Sequence, residues 1–325
     1  MRGVNTEMDQ ARLQRSELAV PATSTQFFAK AARGPADSIF LDLEDAVAPS
    51  RRLEARDNAV RALQEIDWGE KTVSVRVNGL DTQWGLSDIL AVARCARLDT
   101  ILLPKIQTSG DVIFVDRLLS TLELEHPRSK RLGIEILIET TKGLVNVETI
   151  AGASNRLESM IFGVGDYSIE LQNFETAFGV SNPDYAVLAR APGVGPVRHW
   201  NDQWHYALAR IANACRAYGI RPIDGPYTKY KDDEGFRASC RRARTLGFEG
   251  KWAIHPSQVT PANEEFTPSS DQIAWARDLK SKMEAANQQG TGAIGLEGEL
   301  IDRAHLLLAA NILRRAGLAR SETSQ

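Results

Sequence analysis

The chain has 325 residues and a formal net charge of −3, with 25% charged and 43% hydrophobic residues, as is ordinary for a soluble globular protein. No basic stripe or aromatic-interleaved motif stands out, which argues against nucleic acid as a partner, and the apolar runs are too short to cross a membrane. The amino terminus lacks the apolar core of a signal peptide, so we expect a cytoplasmic protein.

Eight short apolar runs recur along the chain, and each ends in polar or charged residues. Continuous runs rich in Val, Ile and Leu are typical of parallel strands that are covered on both faces, and the segments between them mostly carry helical periodicity. The count of eight predicts a (β/α)8 TIM barrel, in which the carboxyl ends of the strands meet at the face that carries the active site. The runs are Ala19–Ala22, Ile39–Asp45, Val73–Gly79, Ile101–Lys105, Ile134–Thr140, Met160–Asp166, Arg221–Pro226 and Trp252–Pro256.

Helices are predicted between these runs, at Ser24–Arg33, Arg51–Glu65 and Asp116–Glu125. The hydroxyl groups of the Thr-Ser-Thr sequence around Ser24 are expected to cap the first of them. The segment Leu171–Gln203, between the sixth and seventh strands, is long and irregular for a barrel loop, and such segments are often functional lids.

A C-terminal arm follows the eighth strand. It contains a predicted helix from Gln272 to Gln289, a hairpin with its turn near Glu297 and Gly298, and a final helix. An arm of roughly 60 residues makes no large core alone, so we expect it to pack on the barrel or on a neighbouring subunit. We divide the chain into an N-terminal arm (1–17), a TIM-barrel catalytic domain (18–266) and a C-terminal lid or oligomerisation arm (267–325).

Two carboxylates close consecutive predicted strands, Glu139 and Asp166. Neighbouring strands lie about 5 Å apart, so the two groups are expected side by side. Hard oxygen ligands without a nearby His or Cys favour Mg²⁺ or Mn²⁺, with substrate and water in the other positions. The alternative is that one of them is an exposed or salt-bridged surface carboxylate.

Arg76 lies inside the third apolar run, where an unpaired guanidinium would be costly. Near a divalent cation it is suited to bind a carboxylate or a developing enolate oxygen, and its alternative role is an ion pair with Glu44 or Asp45. Those two acids either orient metal-bound water or neutralise Arg76 and Lys105.

The histidines and cysteines give weaker signals. His255 ends the eighth strand and either borders the pocket or is hydrogen-bonded beneath it, whereas His205 falls in a helical pattern typical of a core residue. The three cysteines are widely spaced and without a CxxC motif, which favours reduced, buried side chains; they are Cys95, Cys215 and Cys240.

The motifs at the strand ends resemble those of the HpcH/HpaI aldolase and citrate lyase β-subunit superfamily, and most of all its malyl-CoA/β-methylmalyl-CoA lyases. The resemblance runs from about Arg15 to Leu313 and is carried by RSELAVPA, IFLDLEDAVAP, VSVRVNGLDT, ILLPKI, IEILIET, FGVGDYS, RPIDGPY, GKWAIHPSQV and GAIGLEGELID.

The resemblance implies roles for individual residues. The family's metal ligands match Glu139 and Asp166, and its substrate-binding arginine matches Arg76. Its catalytic aspartate, which acts in a neighbouring subunit's site, matches Asp302; position alone would make Asp302 an exposed acid at a helix start. The family's CoA-binding arginine is replaced by Ser24, whereas Lys30 is retained.

The implied reaction is a Mg²⁺-dependent aldol or retro-aldol step on a CoA thioester and a 2-oxo acid, in which malyl-CoA yields acetyl-CoA and glyoxylate. Catalysis in trans implies a homo-oligomer, a trimer or a hexamer. The alternatives are a malyl-CoA thioesterase, a citramalyl-CoA lyase, and a non-catalytic acyl-CoA-binding paralogue, against which the intact set of site residues argues.

Overall fold

The computed structural model describes residues 12–174, 176–191, 193–288, 290–296 and 298–321. Most of the predicted N-terminal arm therefore lies outside the described residues. The described residues form two compact units, one of residues 14–263 and one that contains the described residues from 264 onward together with residues 12 and 13.

The larger unit is a closed barrel of eight parallel strands with helices between them, which confirms the predicted (β/α)8 TIM barrel. Around the barrel the strands follow the order β1-β10-β9-β6-β5-β4-β3-β2. In chain order the elements are β1 (Ser16–Pro21), α1 (Phe28–Arg33), β2 (Ser38–Asp42), α2 (Arg52–Glu65), β3 (Thr72–Arg76), α3 (Gly85–Val92), β4 (Thr100–Leu103), α4 (Ser109–Glu125), β5 (Gly133–Ile138), α5 (Thr141–Val145), α6 (Val147–Ala151), β6 (Leu157–Phe162), α7 (Val164–Glu170), β7 (Ala186–Ala191), β8 (Val194–Trp200), α8 (His205–Tyr218), β9 (Arg221–Asp224), α9 (Asp233–Thr245), β10 (Gly250–Ala253) and α10 (Val259–Phe266).

An apolar layer fills the middle of the barrel. Each member comes from a different strand, and together they bury a cluster around the tilted pair of Phe40 and Trp252, whose rings are 4.5 Å apart. This layer is a packed core and not a pore, as barrel interiors usually are. Its buried members are Phe40, Leu102, Leu137, Ile161, Ile223 and Trp252.

The strands end earlier than the apolar runs suggest. The run predicted at Ile39–Asp45 is a strand only from Ser38 to Asp42, because the Asp42 carboxylate accepts hydrogen bonds from the backbone N–H groups of Glu44 and Ala46 and turns the chain. Several charged residues therefore lie just beyond the strands, in the loops at the barrel's carboxyl end.

Two helix starts differ from the sequence-based expectation. The Ser24 side chain makes no capping hydrogen bond, and a short 3-10 turn precedes α1, so the predicted hydroxyl cap is wrong. The helix predicted from Asp116 begins instead at Ser109, because Thr108 and Asp111 form a reciprocal capping box.

The segment predicted as an irregular lid contains regular structure. Strands β7 and β8 form an antiparallel hairpin, in which Ala186 pairs with Trp200 and Gly193 takes a positive φ of 77°. The sequence did not reveal it, because its strands carry few of the alternating apolar residues that mark a hairpin.

The smaller unit contains α11 (Ser270–Gln288), the predicted hairpin of β11 (Ile294–Leu296) and β12 (Glu299–Ile301), and α12 (Arg303–Ser321). Gly298 in the hairpin turn has a positive φ of 87°, which glycine adopts without strain; Glu297 lies outside the described residues. Both helices contribute to a small apolar core of Ala276, Leu279, Met283, Ile301 and Ala309. Among the helices that the structure describes, none has the length and apolar character to cross a bilayer.

Candidate active site

Arg76 and Asp42 face each other at the carboxyl ends of β3 and β2, where they are paired in register. The Arg76 guanidinium donates from Nε to Asp42 Oδ1 at 2.7 Å and from Nη2 to Oδ2 at 2.6 Å. Both side chains are buried, so this bidentate pair is a fixed part of the barrel. Burial opposes the charged forms, but the pairing still holds the pKa of Asp42 below its usual range and that of Arg76 above it.

The remaining edge of Arg76 faces two more carboxylates. Its Nη1 lies 3.1 Å from Asp45 Oδ2 and 3.3 Å from Glu44 Oε2. Glu44 is buried and Asp45 is half exposed. The expected ion pair with Glu44 or Asp45 therefore forms, but the principal partner of Arg76 is Asp42.

Glu139 is buried directly after β5, in a position that its neighbours shape closely. Its Oε1 accepts a hydrogen bond from the backbone N–H of Lys105 at 2.7 Å, and Lys105 takes an unusual positive φ of 53°. A Cβ on Gly163 would lie 2.3 Å from the Cβ of Glu139. Only glycine therefore leaves room for the Glu139 side chain.

Burial, together with the negative charges of Glu44 and Asp166, raises the pKa of Glu139 to about 8, although Arg76 and the hydrogen bond from the Lys105 backbone oppose the shift. Desolvation and like charges both disfavour the ionised form of Glu139, and the positive charge nearby is too small to offset them.

Lys105 links the acids on three sides of the site. Its Nζ lies 2.8 Å from Glu44 Oε1, 3.3 Å from Asp166 Oδ2 and 3.8 Å from Asp45 Oδ1. Burial opposes the charge, but these acids hold the pKa of Lys105 above its ordinary value. Asp166, in the first turn of α7, is thereby brought to the same cluster as Glu44.

We call this group of residues the mouth cluster. It contains five carboxylates but two cationic side chains, so it carries an excess of negative charge; its members are Asp42, Glu44, Asp45, Arg76, Lys105, Glu139 and Asp166.

The mouth cluster has the donor chemistry for a hard divalent cation. Both oxygens of Asp42 are bound to Arg76, whereas Glu139 and Asp166 present carboxylate oxygens within a cluster that has more acids than cations. Across the described ranges, no group of three or more His, Cys, Asp or Glu residues is arranged to hold a metal. A two-carboxylate site completed by water and substrate fits Mg²⁺, which usually keeps several such ligands.

Asp42, Lys105 and Gly163 were not predicted as site residues. Asp42 could have been found from strand alternation, because it shares the inward face of β2 with Phe40. Lys105 was recognised as a charged strand end without a role, and no sequence signal indicates its positive φ.

The predicted CoA-binding positions lie near α1. Lys30 is exposed on that helix, and Ser24 precedes it. Beside them a groove of about 280 Å³ is lined by residues of α2 and of the loop after β1, among them Thr23, Thr25 and Arg61.

Asp302 lies at the start of α12 in the smaller unit, and its side chain is half exposed. Its Oδ1 accepts a hydrogen bond from the backbone N–H of Ala304 and lies 2.9 Å from Nδ1 of His305. The contact with His305 lowers the pKa of Asp302.

His205 and His255 are both exposed. His205 is exposed at the start of α8, so its assignment to the core is wrong. His255 is exposed after β10, where it stacks on Tyr230 at 4.6 Å and contacts Ser257 at 2.8 Å. The three cysteines are buried and form no disulfide, as predicted.

The chain is similar to known proteins over most of its length. The family model of HpcH/HpaI aldolase/citrate lyase matches residues 15–256. The chain is 43% identical to an L-malyl-CoA/beta-methylmalyl-CoA lyase of Rhodobacter capsulatus, over 95% of this chain and 96% of the relative. It is 35% identical to a (3S)-malyl-CoA thioesterase of Cereibacter sphaeroides, over 94% of this chain and 96% of that protein.

Among solved structures, the chain resembles CitE from Mycobacterium tuberculosis in complex with magnesium, acetoacetate and coenzyme A. The TM-score is 0.72 at 29% sequence identity, over 94% of this chain and 99% of that one. Because the family model matches most of the chain and the identity to curated lyases extends over nearly all of it, the protein belongs to the HpcH/HpaI aldolase/citrate lyase family.

Proposed function

We propose that the protein is a Mg²⁺-dependent carbon–carbon lyase that cleaves a 3-hydroxyacyl-CoA thioester such as malyl-CoA to acetyl-CoA and glyoxylate. The observation that carries the proposal is the mouth cluster, in which Lys105 contacts both Glu139 and Asp166 and Asp42 fixes Arg76. The identity to curated lyases supports the same reaction. Mn²⁺, which prefers the same ligands, is an alternative cofactor.

Glu139 and Asp166 would hold the cation. When bound, it supplies Lewis acidity toward an oxygen of the oxo or hydroxy acid. Lys105 has a separate task, because its backbone N–H orients Glu139 while its ammonium group restrains Glu44 and Asp166.

Arg76 would stabilise negative charge on the substrate. Asp42 occupies two of its donor positions, which fixes the plane of the guanidinium. Its Nη1, shared loosely between Glu44 and Asp45, is the edge that an oxo-acid or enolate oxygen would contact.

In the cleavage direction, the bond between the hydroxyl-bearing carbon and the thioester α-carbon breaks. The hydroxyl proton is lost to water, its oxygen becomes the carbonyl of glyoxylate, and the electron pair of the broken bond passes to the thioester as an enolate. Asp302 would protonate this enolate and, in condensation, remove the same proton. Its Oδ1 is engaged at the helix start, which leaves Oδ2 to carry the proton.

The thioester would bind near α1, where Lys30 is exposed. Ser24 cannot pair with a phosphate as an arginine does, so Arg61 in the neighbouring groove is a second cationic group for CoA. Catalysis by Asp302 in a neighbouring subunit's site requires a homo-oligomer, which we propose to be a trimer or a hexamer. We propose a cytoplasmic location, with which buried cysteines that form no disulfide are consistent.

The reaction is tested by product analysis. Purified protein with Mg²⁺ and malyl-CoA should release glyoxylate and acetyl-CoA in equal amounts. Malate and free CoA as products would identify a thioesterase instead, and preferential release of pyruvate from citramalyl-CoA would identify a citramalyl-CoA lyase. No product from any of these thioesters would support a binding paralogue.

Catalysis in trans is tested by mixing two inactive variants. Asp302→Asn and Glu139→Ala should each be nearly inactive, and subunit exchange between them should restore part of the activity, because some sites then combine an intact metal site with an intact aspartate. If hetero-oligomers form and remain inactive, Asp302 acts in its own subunit or has no part in the chemistry.

A further inference from the structure

Two glutamates lie fully buried inside the barrel, below the apolar layer and away from the mouth cluster. Glu17 is on β1 and Glu135 is on β5, and each has 0% relative exposure. Gln14 joins them, because its Nε2 lies 3.1 Å from Glu17 Oε2 and 3.0 Å from Glu135 Oε2. Since one amide nitrogen donates to both, the two carboxyl groups are close neighbours.

Every other polar contact to these carboxyl groups is from a donor. The indole N–H of Trp252 donates to Glu17 Oε2 at 3.0 Å. The hydroxyls of Thr100 and Ser159 donate to Glu135 Oε1 and Oε2 at 2.6 Å and 2.7 Å. We call these residues the floor cluster: Gln14, Glu17, Thr100, Glu135, Ser159 and Trp252.

No cationic side chain in the described part of the chain pairs with Glu17 or Glu135. Among the charged groups on the strands and segments around them, Lys251 pairs with Asp224 at 2.5 Å, Arg221 with Glu158 at 3.2 Å and Arg15 with Asp37 at 2.7 Å. Two adjacent carboxylates without a counter-charge in a desolvated core are energetically untenable, so one of them must be neutral.

We propose that the floor cluster is a buried proton-binding site, in which Glu17 and Glu135 share one proton as a carboxylic acid–carboxylate pair. The proton lies on Glu17, because both oxygens of Glu135 already accept hydrogen bonds whereas Oε1 of Glu17 has no partner. The protonated Glu17 then donates to Glu135, and the remaining single charge is surrounded by donors.

A metal cation fits this place poorly. The indole N–H of Trp252 and the amide N–H of Gln14 both point at Glu17 Oε2, and neither group can coordinate a cation through its hydrogen. The donors solvate a negative charge, which is what an acid–carboxylate pair retains.

The site is separate from the chemistry at the mouth. On each of three strands an apolar residue stands two positions beyond the polar one, so Leu102, Leu137 and Ile161 cover the side facing the mouth. The proton bound at the floor cluster is therefore expected to affect the stability of the fold and not the reaction. Burial, followed by the charge of Glu135, raises the pKa of Glu17 well above its ordinary value.

The sign of the effect on stability follows from this direction. The folded state holds the proton more tightly than the unfolded chain does. The contribution of this proton to the free energy of unfolding is therefore complete below the pKa of Glu17 in the unfolded chain, about 4.3. It is lost as the pH rises toward the pKa of Glu17 in the folded protein. Over that interval the native state binds one more proton than the unfolded state, so the unfolding equilibrium constant should rise up to about tenfold per pH unit.

Glu17→Gln tests the proposal because a glutamine reproduces the protonated acid, with an N–H for Glu135 and an oxygen for Trp252 and Gln14. Urea unfolding of the full-length wild type and of Glu17→Gln is compared across this pH interval at one protomer concentration. We expect the variant to fold, to keep its turnover, and to lack the additional slope of up to tenfold per pH unit.

An infrared measurement provides a second readout that does not depend on unfolding. In a Glu139→Gln background, which removes the other buried carboxyl that is protonated at neutral pH, the C=O band of a buried carboxylic acid should be present at neutral pH, absent once Glu17→Gln is added, and lost at alkaline pH. Parallel unfolding profiles, absence of the band, or stabilisation by a specific cation in place of the proton would each overturn the proposal. A variant that fails to fold would also contradict it.

Discussion

The mouth and the floor of the same barrel both bury carboxylates, but they balance them in different ways. At the mouth, Glu139 is surrounded by other acids and by Arg76 and Lys105, which leaves an excess of negative charge. At the floor, Glu17 and Glu135 contact only neutral donors and each other. The first arrangement keeps an excess of negative charge, whereas the second needs only one proton, as we propose.

The difference teaches how to recognise a functional carboxylate among buried ones. A buried acid whose neighbours satisfy it contributes to the fold, and the amino-terminal face of a TIM barrel is where such groups are expected. A buried acid at the carboxyl ends of the strands whose neighbours supply too little positive charge is a candidate to bind a cationic ligand.

The largest expected effect is on the two proposed metal ligands. Glu139→Gln and Asp166→Asn should each lower kcat/KM at least ~10³-fold, since the Lewis acid contributes several kcal/mol and each 1.36 kcal/mol is tenfold. Calorimetry should show loss of Mg²⁺ binding in both. Glu17→Gln is the matched control, because it removes an equally buried carboxylate from the floor and should keep full turnover. Equal Mg²⁺ binding in the wild type and the Glu139→Gln, Asp166→Asn double variant would refute the metal assignment.

Arg76→Lys should cost about 10²-fold in kcat/KM, the usual loss on removing one oriented donor. An ammonium group cannot make the two parallel bonds to Asp42 and also present a third donor. Arg56→Lys is the control, since Arg56 also pairs with a buried carboxylate, Asp88 at 2.6 Å, outside the mouth cluster. Near-normal kinetics in Arg76→Lys would make the arginine only a counter-charge to Asp42.

Much of the fold could be predicted because the barrel strands are continuous apolar runs, a strong local signal. Strand ends were placed too late because Asp42 stops β2 through hydrogen bonds to the next loop. The hairpin of β7 and β8 was missed, since exposed residues such as Val187 and Val197 do not alternate with polar ones as in a half-buried strand.

The site was predictable only in part. Glu139 and Asp166 follow apolar runs, and topology brings such residues to one face whatever the detailed geometry. Lys105 and Gly163 could not be assigned, because their roles depend on a positive φ and on a close approach that arise only after folding. Asp302 was identified through family resemblance, because nothing local distinguishes it from other exposed acids at helix starts.

Gly163→Ala should lower kcat/KM about 10- to 100-fold through misplacement of Glu139, since small displacements in an active site carry such costs. The new methyl group would lie 2.6 Å from Glu139 Oε2, so the carboxylate must move. Gly110→Ala is the control, because its methyl group meets nothing closer than Thr108 Oγ1 at 3.4 Å in α4. Unchanged kinetics and Mg²⁺ affinity in Gly163→Ala would show that Glu139 need not be held at this position.

The smallest expected effect is a pH dependence of Mg²⁺ affinity, and it separates mouth from floor most directly. Because the pKa of Glu139 is raised to about 8 without a metal, this carboxyl is largely protonated at neutral pH and must lose its proton when the cation binds. The Kd for Mg²⁺ should therefore fall by up to about tenfold per pH unit as pH rises toward 8, and should level off above it. Calorimetry in two buffers of different ionisation enthalpy measures the released proton. Glu17→Gln should reproduce the wild-type profile, because the floor cluster does not contact the cation. A Kd that is independent of pH between about 6 and 8 would mean that Glu139 is already ionised, and that Arg76 and Lys105 balance the mouth cluster without a metal.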